Sequence, residues 1–394
     1  MASEAGVDER ARTSVAGGEL VLLTWTDASG TLAPERAAEE AYVAIDEACR
    51  ARGVVPLQER VFGDLAAIPA VARGRARVLG GAEEWAVPPT CIEGSPAGRP
   101  GLAGVHVVAA RGRGHLVREG ETVFGRVVEG GAARLLGLSD VGRRGAGRLA
   151  PGPAEDAAAA IDAASELLAR EGFGFGDVAR TWFYLRDILD WYGPFNAVRN
   201  AAFRRMRLMG PGGDGRIPAS TGIEGRNARG GWCALDLLAV QPHPGSGAGM
   251  RRLHNRKQNE ATEYGSAFAR AMEVPLGDAR YLFVSGTASI DDHGSTVHAG
   301  DFEAQVRFTL EAVEALLEGA GAGLGDVAQA TAFLKNPCDA RSFSRLVARS
   351  GLAGVPLVTT VADVCRGDLL FEIDATAVVP LRERRPRGGR SRRS

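Results

Sequence analysis

A carboxyl group set among apolar neighbours is the first residue here that could do chemistry. In the segment Phe371–Val378 (FEIDATAV), strand alternation puts Glu372 and Asp374 on one side and Phe371, Ile373 and Ala375 on the other. With Leu369 and Leu370 just upstream, such a group is costly to bury unless it has a partner or a task. Burial would raise its pKa toward neutrality and suit it to general-acid work. Spacing alone favours an ordinary cross-strand or solvent-facing carboxylate, and Asp374 reads as a surface or paired one. Cys365 lies seven residues before Glu372, ahead of a Gly367-Asp368 turn. A lone cysteine is more often a small buried apolar residue than a reagent. Anion grips would come from Arg186, Arg199, Arg270 or Lys335, Arg being favoured because its fork matches a carboxylate. Tyr192, Phe195, Asn196 and Arg199 share a helical face by their three- and four-residue spacing. Tyr264 could donate a phenolic hydroxyl, or stand as a half-buried aromatic. Ser220-Thr221-Gly222 and Ser285-Gly286-Thr287 complete the polar blocks. We read Thr221 as functional and Gly286 as a turn or bulge residue.

These residues belong to a repeated frame. Gly176-Asp177-Val178-Ala179 leads into Thr181–Asp187, as Gly325-Asp326-Val327-Ala328 leads into Thr331–Asn336. Each follows an Ala- and Leu-rich helical pattern, at 157–170 and 303–319. Each precedes a second helix, at 194–209 and 339–350, then a strand, at 217–223 and 355–364. Each copy closes on an apolar strand, CALDLLAV at 233–240 and FEIDATAV at 371–378. A fainter third copy lies upstream, where Pro89–Gly94 (PTCIEG) echoes Ser220–Gly225 (STGIEG) and 35–52 has helical spacing with a Gly53 stop. The reading is α+β: three fused ββαβαββ units in a pseudo-threefold body, mixed sheets carrying helices on one face. The expected divisions are a disordered tail at 1–18, units at 19–125 and 126–245, a linker plus third unit at 246–380, and a disordered Arg-rich tail at 381–394.

The last copy, with VSGTASIDDHG, GDVAQATAFLKN and FEIDATAV, resembles the YjgF/Rid family. That family commonly hydrolyses enamines and imines with an Arg that grips the substrate carboxylate and a Glu in the closing strand. Glu372 matches the Glu. The Arg position is Val358 in the third copy and Ser220 in the second, so the deaminase pattern is broken. The blocks RTWFYLRDILDWYGPFNAVRNAAF, IPASTGIEGRN, NRKQNEATEYGSAFARA and VCRGDLLFEIDA together resemble the chorismatases, over roughly 130–380. The resemblance implies chorismate as substrate and Glu372 as the acid that protonates its enolpyruvyl ether. It implies substrate contacts from Arg186, Tyr192, Arg199, Ser220, Thr221, Gly222, Tyr264, Arg270, Thr287 and Lys335. A Cys at position 365 marks the branch that forms 3-hydroxybenzoate and pyruvate. Members that release a dihydrodiol depart there.

Composition bounds the rest. The 47 basic and 48 acidic residues leave a net charge of -1, without the basic footprint of a nucleic-acid binder. No run approaches the ~20 apolar residues of a membrane span, and the first residues lack a signal-peptide pattern. Five scattered cysteines without a CxxC pair argue against a disulfide scaffold and suit the cytoplasm. No ATP loop, dinucleotide fingerprint or close His pair is present, and no cofactor or metal is expected. The repeats would satisfy a threefold interface internally, so the chain is expected to be a monomer.

Overall fold

A computed structural model describes residues 14–16, 18–27, 31–95, 101–142, 150–210, 216–246 and 249–381. The first unit runs β1 (Ser14–Ala16), β2 (Leu20–Trp25), α1 (Pro34–Arg52), β3 (Val54–Gly63), α2 (Ile68–Leu79), β4 (Thr90–Glu93) and β5 (Leu102–Arg111). The second runs β6 (Arg113–Glu119), β7 (Thr122–Glu129), β8 (Ala133–Leu138), α3 (Pro153–Arg170), β9 (Val178–Leu185), α4 (Ile188–Arg205), β10 (Ala219–Glu224) and β11 (Cys233–Pro242). The third runs β12 (Arg251–Leu253), β13 (Ala271–Leu276), β14 (Ala279–Ala288), α5 (Phe302–Gly319), β15 (Val327–Leu334), α6 (Ala340–Val347), β16 (Leu357–Val361) and β17 (Phe371–Pro380). Strand orders are β1-β2-β5-β3-β4, β10-β9-β11-β8-β7-β6 and β12-β13-β14-β17-β15-β16. The same topology therefore occurs three times, as fused units.

Local chemistry explains the repeats. Pro34 and Pro153 open α1 and α3, where their missing N–H costs nothing. Gly53 ends α1 at φ 61, a conformation that favours glycine. In each Gly-Asp-Val motif the Asp carboxylate accepts a backbone N–H three residues back: Gly174 N to Asp177 at 2.8 Å and Gly323 N to Asp326 at 2.8 Å. That turn feeds β9 and β15.

Three differences from the sequence reading concern edges. Ser14–Ala16, within the expected disordered tail, pair antiparallel with β2; 1–13 and 382–394 lie outside the described residues. The hairpin β6–β7 begins before the expected boundary at 125 and straddles it, yet it joins the second sheet through β8. Chain proximity to β5 does not decide strand pairing, which β7 satisfies along β8. The expected linker contributes β12 and β13 to the third sheet.

Each sheet buries both faces. The outer faces carry helices over separate cores, exemplified by Tyr42 and Ile45, by Ile161 and Leu168, and by Leu316 and Leu317. The inner faces share one central core drawn from all three units, including Leu57, Phe62, Tyr184, Leu238, Met272, Phe283 and Phe333. Phe62, Tyr184 and Phe333 occupy equivalent register positions on β3, β9 and β15, opposite Gly104, Ala234 and Glu372. The Phe62 ring meets Tyr184 and Phe333 edge-on, at 6.1 and 6.5 Å between centroids.

Three seams join the sheets. β4 meets the second sheet, where Thr90 Oγ1 donates to Asp236 at 2.7 Å. β10 meets the third sheet through a bridge between Ala219 and Ala269. β16 meets the first, where Gly104 abuts Val358 so closely that a side chain there would clash. Asp236 is fully buried, and burial pushes its carboxyl up to about 7. Because the folded pKa exceeds the ordinary 3.8, the folded state keeps the proton longer than the unfolded chain. The associated stability is complete below about pH 4 and is lost as pH rises to about 7. We predict that Asp236→Asn gains stability relative to the parent across pH 4–7, by on the order of 2–4 kcal/mol, with a constant difference above. Urea unfolding at several pH values checks this; a pH-independent difference would place the ionised carboxylate in water.

Candidate active site

The seam between the second and third sheets stays open. A cavity of about 210 Å³ there is lined by Tyr192, Asn196 and Arg199 of α4, Ser220 and Gly222 of β10, and Ser266, Phe268 and Arg270 ahead of β13. Gly286, Ala288 and Ile290 around β14, Cys365 and Arg366 between β16 and β17, and Glu372 of β17 close it. It has room for one small molecule.

Glu372 lies at the cavity wall with 4% of its surface exposed. β17 pairs it with Ala288 on one side and Phe333 on the other. Burial, reinforced by the neighbouring Asp374 and opposed by Arg180, pushes its carboxyl up to about 8. It therefore carries a proton at neutral pH. Room for it comes from Gly286, in an irregularity of β14 between Val284 and Thr287. A Cβ on Gly286 would fall inside the Glu372 carboxyl and within 3.3 Å of Thr221 Cγ2. The bulge reading of Gly286 is thus incomplete: the residue makes the pocket that holds the acid.

Cations line the same cavity from three segments. Trp191 breaks the helical geometry of α4 (φ -144, ψ 15), three residues before Pro194, which cannot donate to the turn before it. Beyond that kink, Tyr192, Asn196 and Arg199 face the cavity while Phe195 packs on Phe183. Arg199 is 1% exposed. Its guanidinium lies 4.9 Å from the Phe195 ring centroid and 5.6 Å from that of Phe268. It donates to Asn196 Oδ1 at 2.7 Å and approaches Ser220 Oγ at 3.5 Å. Arg270 is also buried, its guanidinium 5.6 Å from the Phe268 ring centroid, and donates twice to the Asn259 carbonyl at 2.9 and 2.7 Å. Arg366 donates to the Gly294 carbonyl at 2.8 Å.

Cys365 lines the same cavity. Desolvation, then the neighbouring Glu372, pushes its thiol up to about 12 against the opposing influence of Arg366 and a hydrogen bond with Tyr192. It is a neutral thiol at physiological pH, not a thiolate nucleophile. All five cysteines are free.

Behind the cavity stands a second charged group. Asp374 Oδ2 accepts from Arg180 Nη2 at 3.0 Å, Trp182 Nε1 at 3.1 Å and Thr221 Oγ1 at 2.8 Å. Arg180 is 1% exposed and sits 4.6 Å from the Trp182 centroid; Arg60 lies 3.9 Å from the same ring.

Of the residues expected from sequence, the cavity unites Glu372, Cys365, Tyr192, Arg199, Ser220, Gly222 and Arg270. Strand alternation turns Thr221 away from it, toward Asp374. Thr287 lies between cavity residues Gly286 and Ala288 with its hydroxyl donating to the Ser285 carbonyl at 2.9 Å. Arg186 leans over the Trp232 ring and pairs with Asp187 at 3.2 Å. Lys335 pairs with Asp363. Both follow the ends of their strands and belong to another part of the surface. Tyr264 falls in the short helical turn Ala261–Tyr264, but its side chain lies outside the described residues. Sequence reasoning missed Arg366, Phe268 and the Arg180–Asp374 pair. Only Arg180, a charge inside the uniformly buried strand Val178–Leu185, gave a readable signal.

The comparisons with known proteins now bear on this geometry. The family model described as Endoribonuclease L-PSP matches residues 266–379. A RutC family protein of Pyrococcus horikoshii is 34% identical over 99 residues, covering 78% of that protein and 25% of this chain. The chain belongs to the RutC, or YjgF/Rid, family. It is also 31% identical over 240 residues to 3-hydroxybenzoate synthase of Streptomyces hygroscopicus, a match covering 54% of this chain and 66% of that relative. The crystal structure of a chorismatase shares its fold, with a TM-score of 0.59 at 21% identity over 82% of this chain and 93% of that one. Among the described residues, no helix is long and apolar enough to cross a membrane.

Gly286→Ala tests how this YjgF/Rid site is built. We expect the variant to fold and to displace the Glu372 carboxyl from the cavity wall, visible in its crystal structure. An unmoved carboxyl would show that β14 yields instead.

Proposed function

We propose that the chain is a chorismatase that converts chorismate to 3-hydroxybenzoate and pyruvate. The observation that carries this reading is a carboxyl whose burial pushes its pKa up, facing a small cavity that also holds Arg199, Arg270 and Arg366. The likeness to 3-hydroxybenzoate synthase supports it.

Chorismate carries two carboxylates, an enolpyruvyl ether and a ring hydroxyl. The guanidiniums supply charge-assisted donors for the carboxylates, and Phe268 holds Arg199 and Arg270 in place between them. Glu372 gives its proton to the ether methylene, which becomes a methyl group beside an oxocarbenium centre. The ring carbon–oxygen bond then breaks with its electron pair going to oxygen, releasing pyruvate. The ring hydroxyl oxygen bonds to the vacated carbon, and its proton returns to the Glu372 carboxylate. The resulting arene oxide opens and loses a ring proton to give the hydroxybenzoate. No water or redox partner enters the balance. Cys365, a neutral thiol beside Glu372, lines the ring during this last step and assists the proton's departure while helping to keep water out.

The test is incubation of purified protein with chorismate, the products separated by liquid chromatography and mass spectrometry. We expect 3-hydroxybenzoate and pyruvate in equal amounts, and Glu372→Gln to lower kcat by ~10²–10⁴-fold. Cys365→Ala should shift product toward the dihydroxycyclohexadiene carboxylate; an unchanged ratio would remove Cys365 from aromatisation. Unreacted chorismate with folded protein would contradict the reading. Because the protonated form of Glu372 acts, kcat/KM, which reports the free enzyme, should be flat at acidic pH and fall as pH rises through about 8. A profile rising through that range would assign Glu372 the opposite role.

A further inference from the structure

The residues behind the cavity wall are not explained by substrate contact. Arg180 and Trp182 on β9 and Thr221 on β10 place three donors on one oxygen of Asp374, at 3.0, 3.1 and 2.8 Å. All are buried, and all come from the second sheet, whereas Asp374 belongs to the third. Arg180 and Asp374 thus form an ion pair across the two sheets, with two further donors on the same oxygen. Asp374 lies two residues from Glu372 on the same face of β17. A fixed negative charge at that separation, in a region shielded from water, opposes a second one.

We propose that Asp374, ion-paired with Arg180 and hydrogen-bonded by Trp182 and Thr221, is a positioning residue that keeps the proton on Glu372 in the free protein. The inference rests on Glu372 being the acid of the reading above. Other charges also face Glu372. Arg180 approaches from β9, opposing Asp374. Arg199 and Tyr192 face the cavity from α4, and Arg270 from the segment before β13. Cys365 and Arg366 face it from the loop before β17. The strands β10 and β14 present only Ser220, Gly222, Gly286 and Ala288. Every cation in this set favours loss of the Glu372 proton, so among these side chains Asp374 is the ionised group that retains it.

The experiment is an infrared titration of the protonated carboxyl in the free protein, with Glu372→Gln used to assign the band. The parent band should vanish near pH 8. In Asp374→Asn the midpoint should fall by about one pH unit or more. Because that variant leaves Arg180 buried without its partner, the double variant Arg180→Gln/Asp374→Asn guards against a folding failure. Its midpoint should lie between the other two, since both opposing charges are gone. The alkaline limb of kcat/KM, which reports the free enzyme, should move with the band. An unchanged midpoint in folded Asp374→Asn, or a double variant that titrates together with the single variant Arg180→Gln, overturns the proposal. The titration needs no substrate, so a shifted midpoint in a protein that leaves chorismate untouched would uphold the network and refute the proposed function.

Discussion

The open cleft depends on an ion pair between sheets. Arg180 reaches from the second sheet to Asp374 in the third, out of water at both ends. Such pairs are expensive to form, and breaking one by removing a partner typically costs ~3–5 kcal/mol. The pair joins β9 to β17 across the seam where β10 meets β14. Asp374 is thereby anchored on the inner side and Glu372, two residues away, faces the cavity. The Trp182 ring, with Arg180 and Arg60 both against it, packs these charges at the centre of the molecule.

Threefold repetition makes the asymmetry informative. The position of Glu372 is Gly104 in the first unit and Ala234 in the second, and the position of Asp374 is His106 and Asp236. At the seam of the first and second sheets, Asp236 accepts from Thr90 as Asp374 does from Thr221. That seam keeps the inner polar contact without an acid beside it. At the seam of the third and first sheets, Val358 fills the space left by Gly104. Fusion into one chain lets each seam take its own residues, which three identical subunits could not do. The cavity that holds Glu372 lies at one seam alone.

Much of this was legible in the sequence because repetition and periodicity are local. The Gly-Asp-Val motifs, the helical stretches and the closing strands marked three copies of one fold. The 192/196/199 spacing placed the α4 face that lines the cavity, whereas Phe195 packs on Phe183. What the sequence left obscure was set by contacts between distant segments. The β6–β7 hairpin chose β8, and the supposed linker supplied two strands. Ser220, Thr221 and Gly222 read as one polar block, yet alternation sends Thr221 to Asp374 and its neighbours to the cavity. Arg186 and Lys335 sit one residue beyond their strands, where a long side chain turns to the nearest carboxylate on the surface. Gly286 looked like backbone chemistry alone because the carboxyl it accommodates lies 86 residues further along the chain, on β17.

The account turns on where one proton sits. Neutron diffraction from crystals grown near neutral pD locates it directly. The account predicts a deuteron on the Glu372 carboxyl and none on Asp374, whose Oδ2 receives deuterons from Arg180, Trp182 and Thr221. An ionised Glu372, or a deuterated Asp374 beside it, would contradict it.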